Sequence, residues 1–288
     1  MKAKLTINLD EISSNLDTSF AFLKEMDLHT CELRMINKKN ISVMNKNDII
    51  EFSEKIKTNH ITPVSIASPI LKWSTNNCQE TIIHDNFGID PNVSDIEKEK
   101  MIDDVLEYAD ILAVDKIRIF SYLGKVNMPL DILFTDKLFK KLINSNHTFL
   151  IENEPVCTVY TKRHVKDLAH YITQNNIGNI KIWLDIANLI QIGEEIDEAF
   201  IANIAPCIGY IHVKDFIKNG DAITYVPVGE GMIHYERILS LLDKYIPDRQ
   251  DITISIETHA NAEENKYTYS KKSIIALRET LKKIDHKK

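Results

Sequence analysis

The sequence has few cysteines, no long apolar run and no excess of positive charge. Its four cysteines are spread over 288 residues, and none forms the C-x-x-C pair that is typical of redox and zinc sites. No segment approaches the roughly 18 consecutive apolar residues of a membrane span. The N-terminus lacks the apolar stretch and the small-residue cleavage site of a signal peptide. These absences predict a reduced, cytoplasmic protein with no membrane partner.

The formal net charge is −7 and the pI is about 5.8. Proteins that bind nucleic acids usually carry a basic patch or stripe, whereas the basic runs here are short. They are Lys38-Lys39, Lys140-Lys141, Lys271-Lys272 and His286-Lys287-Lys288. Each fits a solvated helix face or a chain end, so the charge argues against a nucleic-acid partner. The charge is compatible with a small-molecule ligand, bound by a monomer or by a homo-oligomer.

Short runs rich in Ile and Val alternate along the chain with longer amphipathic stretches. Eight of these runs predict strands that are buried on both faces. The predicted strands are Lys4–Leu9, Thr30–Arg34, Thr62–Ala67, Lys116–Phe120, Thr148–Glu152, Ile180–Asp185, Ile208–Val213 and Thr253–Glu257. The predicted helices are Asp10–Met26, Asp95–Ala113, Lys162–Gln174, Tyr235–Tyr245 and Ser270–Ile284.

This alternation predicts the fold class α/β, as a single (β/α)8 TIM barrel over residues 1–288. An open, doubly wound sheet is the main alternative, but no G-x-G-x-x-G turn follows the first strand. One connection, Ser68–Asn92 after the third strand, is longer than most loops. We interpret it either as a substrate lid over the barrel mouth or as a surface insertion with no chemical role.

Polar side chains stand where the last four predicted strands end. They are Glu152, Asp185, His212 and Glu257. All strands of such a barrel direct their carboxyl ends to one mouth, so these groups could meet. Buried carboxylates are costly unless they are paired or bind a metal, and three together would repel one another. The set suits one divalent ion. Oxygen ligands favour Mn²⁺ or Mg²⁺, and the histidine also admits Co²⁺ or Zn²⁺.

Each of these residues also has a structural interpretation. Asp185 opens Asp-Ile-Ala-Asn and could cap a following helix. His212 could be a hydrogen-bonded core histidine, and Glu257 could pair with a nearby Lys or Arg. Four such coincidences at the ends of consecutive strands are harder to explain than one shared metal.

Eight short segments follow one another in a set order between Thr30 and Glu257. They are Cys31-Glu32-Leu33-Arg34, Ser65-Ile66-Ala67-Ser68-Pro69, Ile117-Arg118-Ile119-Phe120, Ile151-Glu152-Asn153, Leu184-Asp185-Ile186-Ala187-Asn188, Ile211-His212-Val213-Lys214-Asp215, Val228-Gly229-Glu230-Gly231 and Ile256-Glu257. Their order and spacing resemble the sugar phosphate isomerase/epimerase superfamily, which has the xylose-isomerase-like TIM barrel and includes an apurinic endonuclease branch.

The resemblance implies that Glu152, Asp185, His212 and Glu257 bind one divalent metal ion, with Mn²⁺ expected first. It also implies that Glu152 and Glu257 are the catalytic acid and base on either side of a sugar carbon. Such a pair can remove and return an α-proton by way of an enediolate. The extra histidines of the endonuclease branch are not evident, which argues against a nuclease. Asn188 stands where several sugar epimerases carry a histidine, which argues against a free-ketose 3-epimerase.

Further polar residues are predicted to contact the substrate at this mouth. They are Glu32, Arg34, Lys72, Arg118, Glu154, Asn188, Lys214 and Glu230. Glu32 and Arg34 could instead pair on the barrel floor, and Asp215 is expected to orient a neighbouring ligand. Convergence of the lysines and Arg118 on the substrate would predict a phosphorylated or carboxylated compound. If they only stabilise the three carboxylates, the substrate need carry no such group.

The predicted function is a metal-dependent isomerase or epimerase that acts on a sugar or sugar derivative by enediolate-type proton transfer. Two alternatives stay open. One is an inosose-type dehydratase or lyase with the same metal site. The other is a non-catalytic barrel that binds a carbohydrate.

Overall fold

The computed structural model describes residues 3–74, 93–124, 130–247, 250, 252–260 and 262–286. Its eight parallel strands confirm the predicted ones, and no strand end is shifted by more than two residues. They are β1 (Ala3–Ile7), β2 (Thr30–Leu33), β3 (Thr62–Ile66), β4 (Lys116–Ile119), β5 (Thr148–Glu152), β6 (Ile180–Asp185), β7 (Ile208–Val213) and β8 (Ile252–Ile256).

The strands form a nearly closed barrel, which confirms the (β/α)8 prediction. Hydrogen bonds link them in the order β1-β8-β7-β6-β5-β4-β3-β2. A single parallel bridge between Asn8 and Glu32 joins the two outer strands of this order. Inside the barrel, Trp183 stacks on Tyr210 with ring centroids 3.7 Å apart. These apolar rings fill the interior below the carboxyl ends of the strands, so the barrel is a packed core with one polar mouth.

Helices connect the strands around the outside of the barrel. They are α1 (Leu16–Glu25), α2 (Lys46–Thr58), α3 (Asp95–Leu112), α4 (Leu130–Thr135), α5 (Lys137–Ile143), α6 (Lys162–Gln174), α7 (Ile186–Gln191), α8 (Glu198–Ile204), α9 (Tyr235–Tyr245) and α10 (Glu263–Asp285). Short 3-10 turns occupy Leu9–Glu11, Ile41–Val43 and Ala205–Cys207.

Two of the predicted helices start at other residues. The first was expected from Asp10, but α1 begins at Leu16 because the Asn15 side chain accepts a hydrogen bond from the backbone N–H of Thr18 and caps it. The last was expected from Ser270, but α10 begins at Glu263. Its acidic first turn, Glu263 and Glu264, favours a helix N-terminus although it carries little apolar periodicity.

Two hairpins follow barrel strands and were not predicted. Met35–Ile36 pairs with Lys39–Asn40 after β2, and Asp215–Asn219 pairs with Ala222–Val226 after β7. Gly220 makes the second turn with a φ of 61°, a conformation that glycine adopts readily. This hairpin stands at the carboxyl end of β7 and so borders the mouth of the barrel.

The start of the long connection after β3 packs against the segment after β4. The backbone N–H groups of Phe120 and Leu123 donate to the carbonyls of Ile70 and Trp73, each at 2.9 Å. The predicted lid extends over Ser68–Asn92, and its residues 75–92 lie outside the described part of the chain. In the described part, no helix is both long and apolar enough to cross a membrane.

Candidate metal centre

The four side chains that end β5 to β8 meet at the barrel mouth. One ligand atom each from Glu152, Asp185, His212 and Glu257 lies within 4.8 Å of every other. All four side chains are buried. We call this group the ligand cluster. Successive parallel strands bring their carboxyl ends to one edge, which is why residues more than a hundred positions apart in sequence converge here.

The imidazole of His212 is held between the ligand cluster and Glu32 of β2. Its Nδ1 lies 3.1 Å from Glu152 Oε1 and 3.4 Å from Glu257 Oε2. Its Nε2 lies 3.0 Å from both carboxylate oxygens of Glu32. Glu32 also accepts hydrogen bonds from Tyr210 Oη at 2.8 Å and from Asn8 Nδ2 at 3.2 Å. Glu32 therefore fixes the ring and turns Nδ1 toward the cluster.

Asp185 both caps a helix and faces the cluster. Its Oδ1 accepts a hydrogen bond from the backbone N–H of Asn188 at 2.8 Å, which caps α7. Its Oδ2 has no hydrogen bond among the described residues, although it lies 2.8 Å from Lys214 Nζ. The Asn153 side chain bonds to both the N–H and the C=O of Asp185, at 2.9 and 2.8 Å. The capping interpretation is thus correct for one oxygen and leaves the other for a cation.

Three buried cations contact the carboxylates of the cluster. Arg118 Nη1 donates to Glu152 Oε2 at 2.9 Å, and Arg34 Nη1 donates to Glu257 Oε1 at 2.6 Å. Lys214 Nζ lies 3.0 Å from Glu257 Oε2. Each glutamate therefore has one oxygen held by an arginine and the other turned toward His212.

These charges shift the pKa values of Asp185 and Glu257 in opposite directions. Burial raises the pKa of Asp185 above its ordinary value, which Lys214 offsets in part and Glu152 and Glu257 reinforce. Burial also opposes ionisation of Glu257, but Lys214, His259 and His212 outweigh it and hold its pKa well below the usual range. Asp185 is thus the carboxylate that a further cation would relieve most.

The pKa of His212 lies well above its usual range, because Glu32, Glu257 and Glu152 outweigh the effect of burial. A histidine that ligates a metal is neutral, so the charged form of His212 that these carboxylates favour competes with metal binding.

The residues present fit a divalent ion. Three carboxylates and an imidazole nitrogen form a hard-to-borderline donor set, and the histidine has the carboxylate partner that metal-binding histidines usually have. Asp185 Oδ2, buried and without a hydrogen bond among the described residues, is the kind of atom that such an ion satisfies.

A second group lies beside the cluster and was missed by the sequence analysis. Glu11, Glu257 and His259 also bring ligand atoms within 4.8 Å of one another. Arg34 Nη2 already donates to Glu11 Oε1 at 2.5 Å and to Asp10 Oδ2 at 2.7 Å. This arginine supplies the positive charge here. The rule that polar residues at strand ends mark the mouth would have found Asp10 and Glu11 had it been applied to β1.

Of the other residues predicted for the site, some lie near the ligand cluster and one, Glu230, does not. Lys72 Nζ lies 3.4 Å from Glu154 Oε1, and Asn188 Nδ2 donates to Glu154 Oε2 at 3.1 Å. Glu32 lies beneath His212 and is fully buried. Glu230 is exposed and pairs with Lys272 of α10 at 2.9 Å, so the structure does not bring it to the cluster.

Asp215 contacts backbone rather than a ligand side chain. Its carboxylate accepts hydrogen bonds from the N–H groups of Phe216, Gly229, Gly231 and Ile233. It therefore holds the loop after the β7 hairpin, instead of orienting a neighbouring metal ligand as expected.

Comparison with known proteins relates this site to one family of barrels. A family model described as xylose isomerase-like TIM barrel matches residues 134–279, which include all four members of the ligand cluster. A search of curated proteins finds no match.

Several solved structures share the fold. The probable 3-DHS dehydratase AsbF from Bacillus anthracis is 15% identical with a TM-score of 0.64, covering 96% of this chain and 98% of its own. The IolI protein with a bound zinc atom is 15% identical with a TM-score of 0.67, covering 98% and 97%. The 3-keto-D-glucoside 4-epimerase YcjR from E. coli is 16% identical with a TM-score of 0.63, covering 99% of both chains. At these identities the likeness shows the fold alone.

Proposed function

The chain belongs to the xylose isomerase-like TIM barrel family, and from this premise we propose that it is a divalent-metal-dependent isomerase or epimerase of a sugar or sugar derivative. The observation that carries the proposal is the ligand cluster, in which two glutamates from β5 and β8 flank a buried aspartate and histidine. Glu152, Asp185, His212 and Glu257 would hold the ion. When bound, it would polarise a carbonyl and the neighbouring hydroxyl of the substrate.

Glu152 and Glu257 are the proposed acid and base. One of them takes the proton from the carbon beside the carbonyl, and the C–H electron pair becomes the C=C bond of an enediolate. The other glutamate returns a proton to carbon. For an epimerase it does so on the opposite face. Arg118 donates to Glu152 Oε2 and Arg34 donates to Glu257 Oε1, so each glutamate is fixed through one oxygen and turns the other toward the cluster.

Neighbouring cations support this chemistry. Lys214 Nζ lies 3.0 Å from Glu257 Oε2 and is buried, so its charge is screened little by water and stabilises an oxyanion that forms beside it. Arg34 and Arg118 fix the two glutamates in one orientation, since bidentate or paired arginines restrict the carboxylate.

A dehydratase is the second candidate, because Lys214 contacts the proposed base. After α-proton removal, an ammonium group beside Glu257 could protonate a hydroxyl on the neighbouring carbon. The C–O bond would then break, and water and a new C=C bond would form. The two reactions share their first step and differ in whether water is released. A new ultraviolet absorbance during turnover would identify the dehydratase, and deuterium uptake without it would identify the isomerase or epimerase.

The proposal is tested by separating proton transfer from metal binding. Glu152→Gln and Glu257→Gln keep the size of the side chain and remove the base, so each should lower kcat by about 10²–10⁴-fold. Metal content is measured on the same samples, since loss of a ligand would have the same effect on kcat. The informative variant retains the metal and still binds substrate, yet no longer exchanges the substrate α-proton in D2O.

A matched control is Glu198→Gln, which removes an exposed carboxylate that pairs with Lys244 at the surface. It should exchange the α-proton at the wild-type rate. Wild-type exchange by both Glu152→Gln and Glu257→Gln, with metal retained, would rule out the two-glutamate mechanism and make Lys214 the next base to test.

A further inference from the structure

We propose that the substrate of this site carries no phosphate or carboxylate group. The inference names the substrate class for the site described above and therefore rests on the proposed function. It is carried by two independent observations. Carboxylates of the chain pair with the cations around the mouth. A further carboxylate, that of Asp215, accepts hydrogen bonds from the backbone amides of the loop after the β7 hairpin.

The first observation concerns Lys72, Arg118 and Lys214, the described side chains that were predicted to contact an anionic substituent. Lys72 pairs with Glu154. Arg118 donates to Glu152 and also, at 3.1 Å, to the backbone carbonyl of Ala67. Each of these cations is therefore committed within the protein. To bind a phosphate, either would have to leave a carboxylate that is itself at least partly buried, and an unpaired buried charge is costly.

Lys214 is committed even more strongly. Its ammonium lies 2.8 Å from Asp185 Oδ2 and 3.0 Å from Glu257 Oε2, and the side chain is 3% exposed. A lysine between two carboxylates neutralises part of their charge, and a substrate anion would compete with both of them for it. Convergence of lysines on the substrate would have predicted an anionic compound. Their pairing with the carboxylates predicts the opposite.

The second observation concerns the backbone. Barrels of this architecture frequently bind phosphate through the loops that follow the seventh and eighth strands, where successive N–H groups form a concave anion site. Here the corresponding loop contains Gly229-Glu230-Gly231, and the buried carboxylate of Asp215 accepts from the N–H groups of Gly229 and Gly231 at 3.0 and 3.1 Å. The protein's own anion fills this position.

The overall charge agrees with both observations. Arg34 alone faces three carboxylates, those of Asp10, Glu11 and Glu257, while Glu32 bonds to Asn8, Tyr210 and His212. Among the residues that the structure describes at the mouth, the carboxylates thus outnumber the lysines and arginines. A divalent ion offsets much of this excess without reversing its sign, so a phosphate dianion would meet net repulsion. Hydroxyl groups, by contrast, can donate to these carboxylates.

The test compares the binding of each ketose with that of its own phosphate ester. Metal-loaded protein is titrated calorimetrically with D-fructose and D-fructose 6-phosphate, and with D-xylulose and D-xylulose 5-phosphate. For each pair that binds, we expect the neutral sugar to bind more tightly by on the order of tenfold. Tighter binding of the phosphate ester would overturn the inference. Binding of a neutral sugar without α-proton exchange would contradict the proposed reaction and still support the charge preference, so the two failures are distinguishable.

A variant sharpens the comparison. Glu154→Gln removes the carboxylate that engages Lys72 and should reduce the preference for the neutral member of a pair. The matched control, Glu198→Gln, removes one negative charge at a surface pair with Lys244 and should leave the preference unchanged. An equal change in both variants would mean that net charge, rather than the commitment of Lys72, sets the preference, and would overturn this part of the argument.

Discussion

At the scale of single residues, Glu32 shows how a buried charge can serve a site that it does not enter. Its two oxygens lie 3.0 Å from His212 Nε2, and it is fully buried near the carboxyl end of β2. A carboxylate in this position makes Nε2 the protonated nitrogen and leaves Nδ1 as the donor to a metal. The sequence places Glu32 and Arg34 on one strand face, but it does not reveal that Glu32 points at a histidine of β7.

We expect Glu32→Gln to weaken Mn²⁺ binding by about 10–100-fold, because the amide still accepts a hydrogen bond but no longer supplies the charge that raises the basicity of the imidazole. The dissociation constant is measured by competition with a chelator, and the melting temperature is recorded without metal to verify folding. An unchanged dissociation constant in a folded variant would show that Glu32 has no role in holding the ion.

At the scale of secondary-structure elements, the loop after the β7 hairpin is built around one carboxylate. Asp215 bonds to four backbone N–H groups of this region. Gly231 leaves room for it, since a Cβ at this position would collide with the Asp215 carboxylate and lie 2.7 Å from the backbone oxygen of Phe216. Glycine is therefore required at position 231 because Asp215 and Phe216 approach closely, and not because the chain turns there.

Gly231→Ala should destabilise the protein by about 1–3 kcal/mol, the usual range for overpacking a well-packed position. Gly178→Ala is the matched control, because a Cβ at Gly178 would meet nothing within 4 Å. Urea unfolding midpoints of the two variants give the comparison. Equal midpoints would mean that the loop shifts freely and that Asp215 does not fix it.

Elements with a strong pattern could be predicted from sequence, and those without one could not. The strands β5 to β8 are buried almost throughout, and each contains at least one Ile, so their apolar runs are distinctive. The hairpin of Asp215–Asn219 and Ala222–Val226 alternates buried, partly buried and exposed residues irregularly, and its pairing depends on the turn at Gly220. The start of α10 is mostly polar, so its periodicity does not show where the helix begins.

At the scale of the whole molecule, closure of the barrel brings residues that are far apart in the sequence into contact. The four members of the ligand cluster could be predicted because one rule, a polar residue at the end of a buried strand, applies to each strand separately. The pairing of Arg34 with Glu257 and of Arg118 with Glu152 could not, since it depends on side-chain directions across the mouth. The pairing of Arg118 with Glu152 is part of the basis for the proposal that the substrate is an uncharged sugar.

A metal titration shows whether the mouth of this barrel binds one divalent ion. Metal-free protein is titrated calorimetrically with Mn²⁺, beside Asp185→Asn and His212→Ala. We expect close to one ion per wild-type chain, a higher melting temperature with metal, and clearly weaker binding by both variants. Wild-type protein that binds no Mn²⁺ and keeps the same melting temperature in excess Mn²⁺ would contradict this expectation.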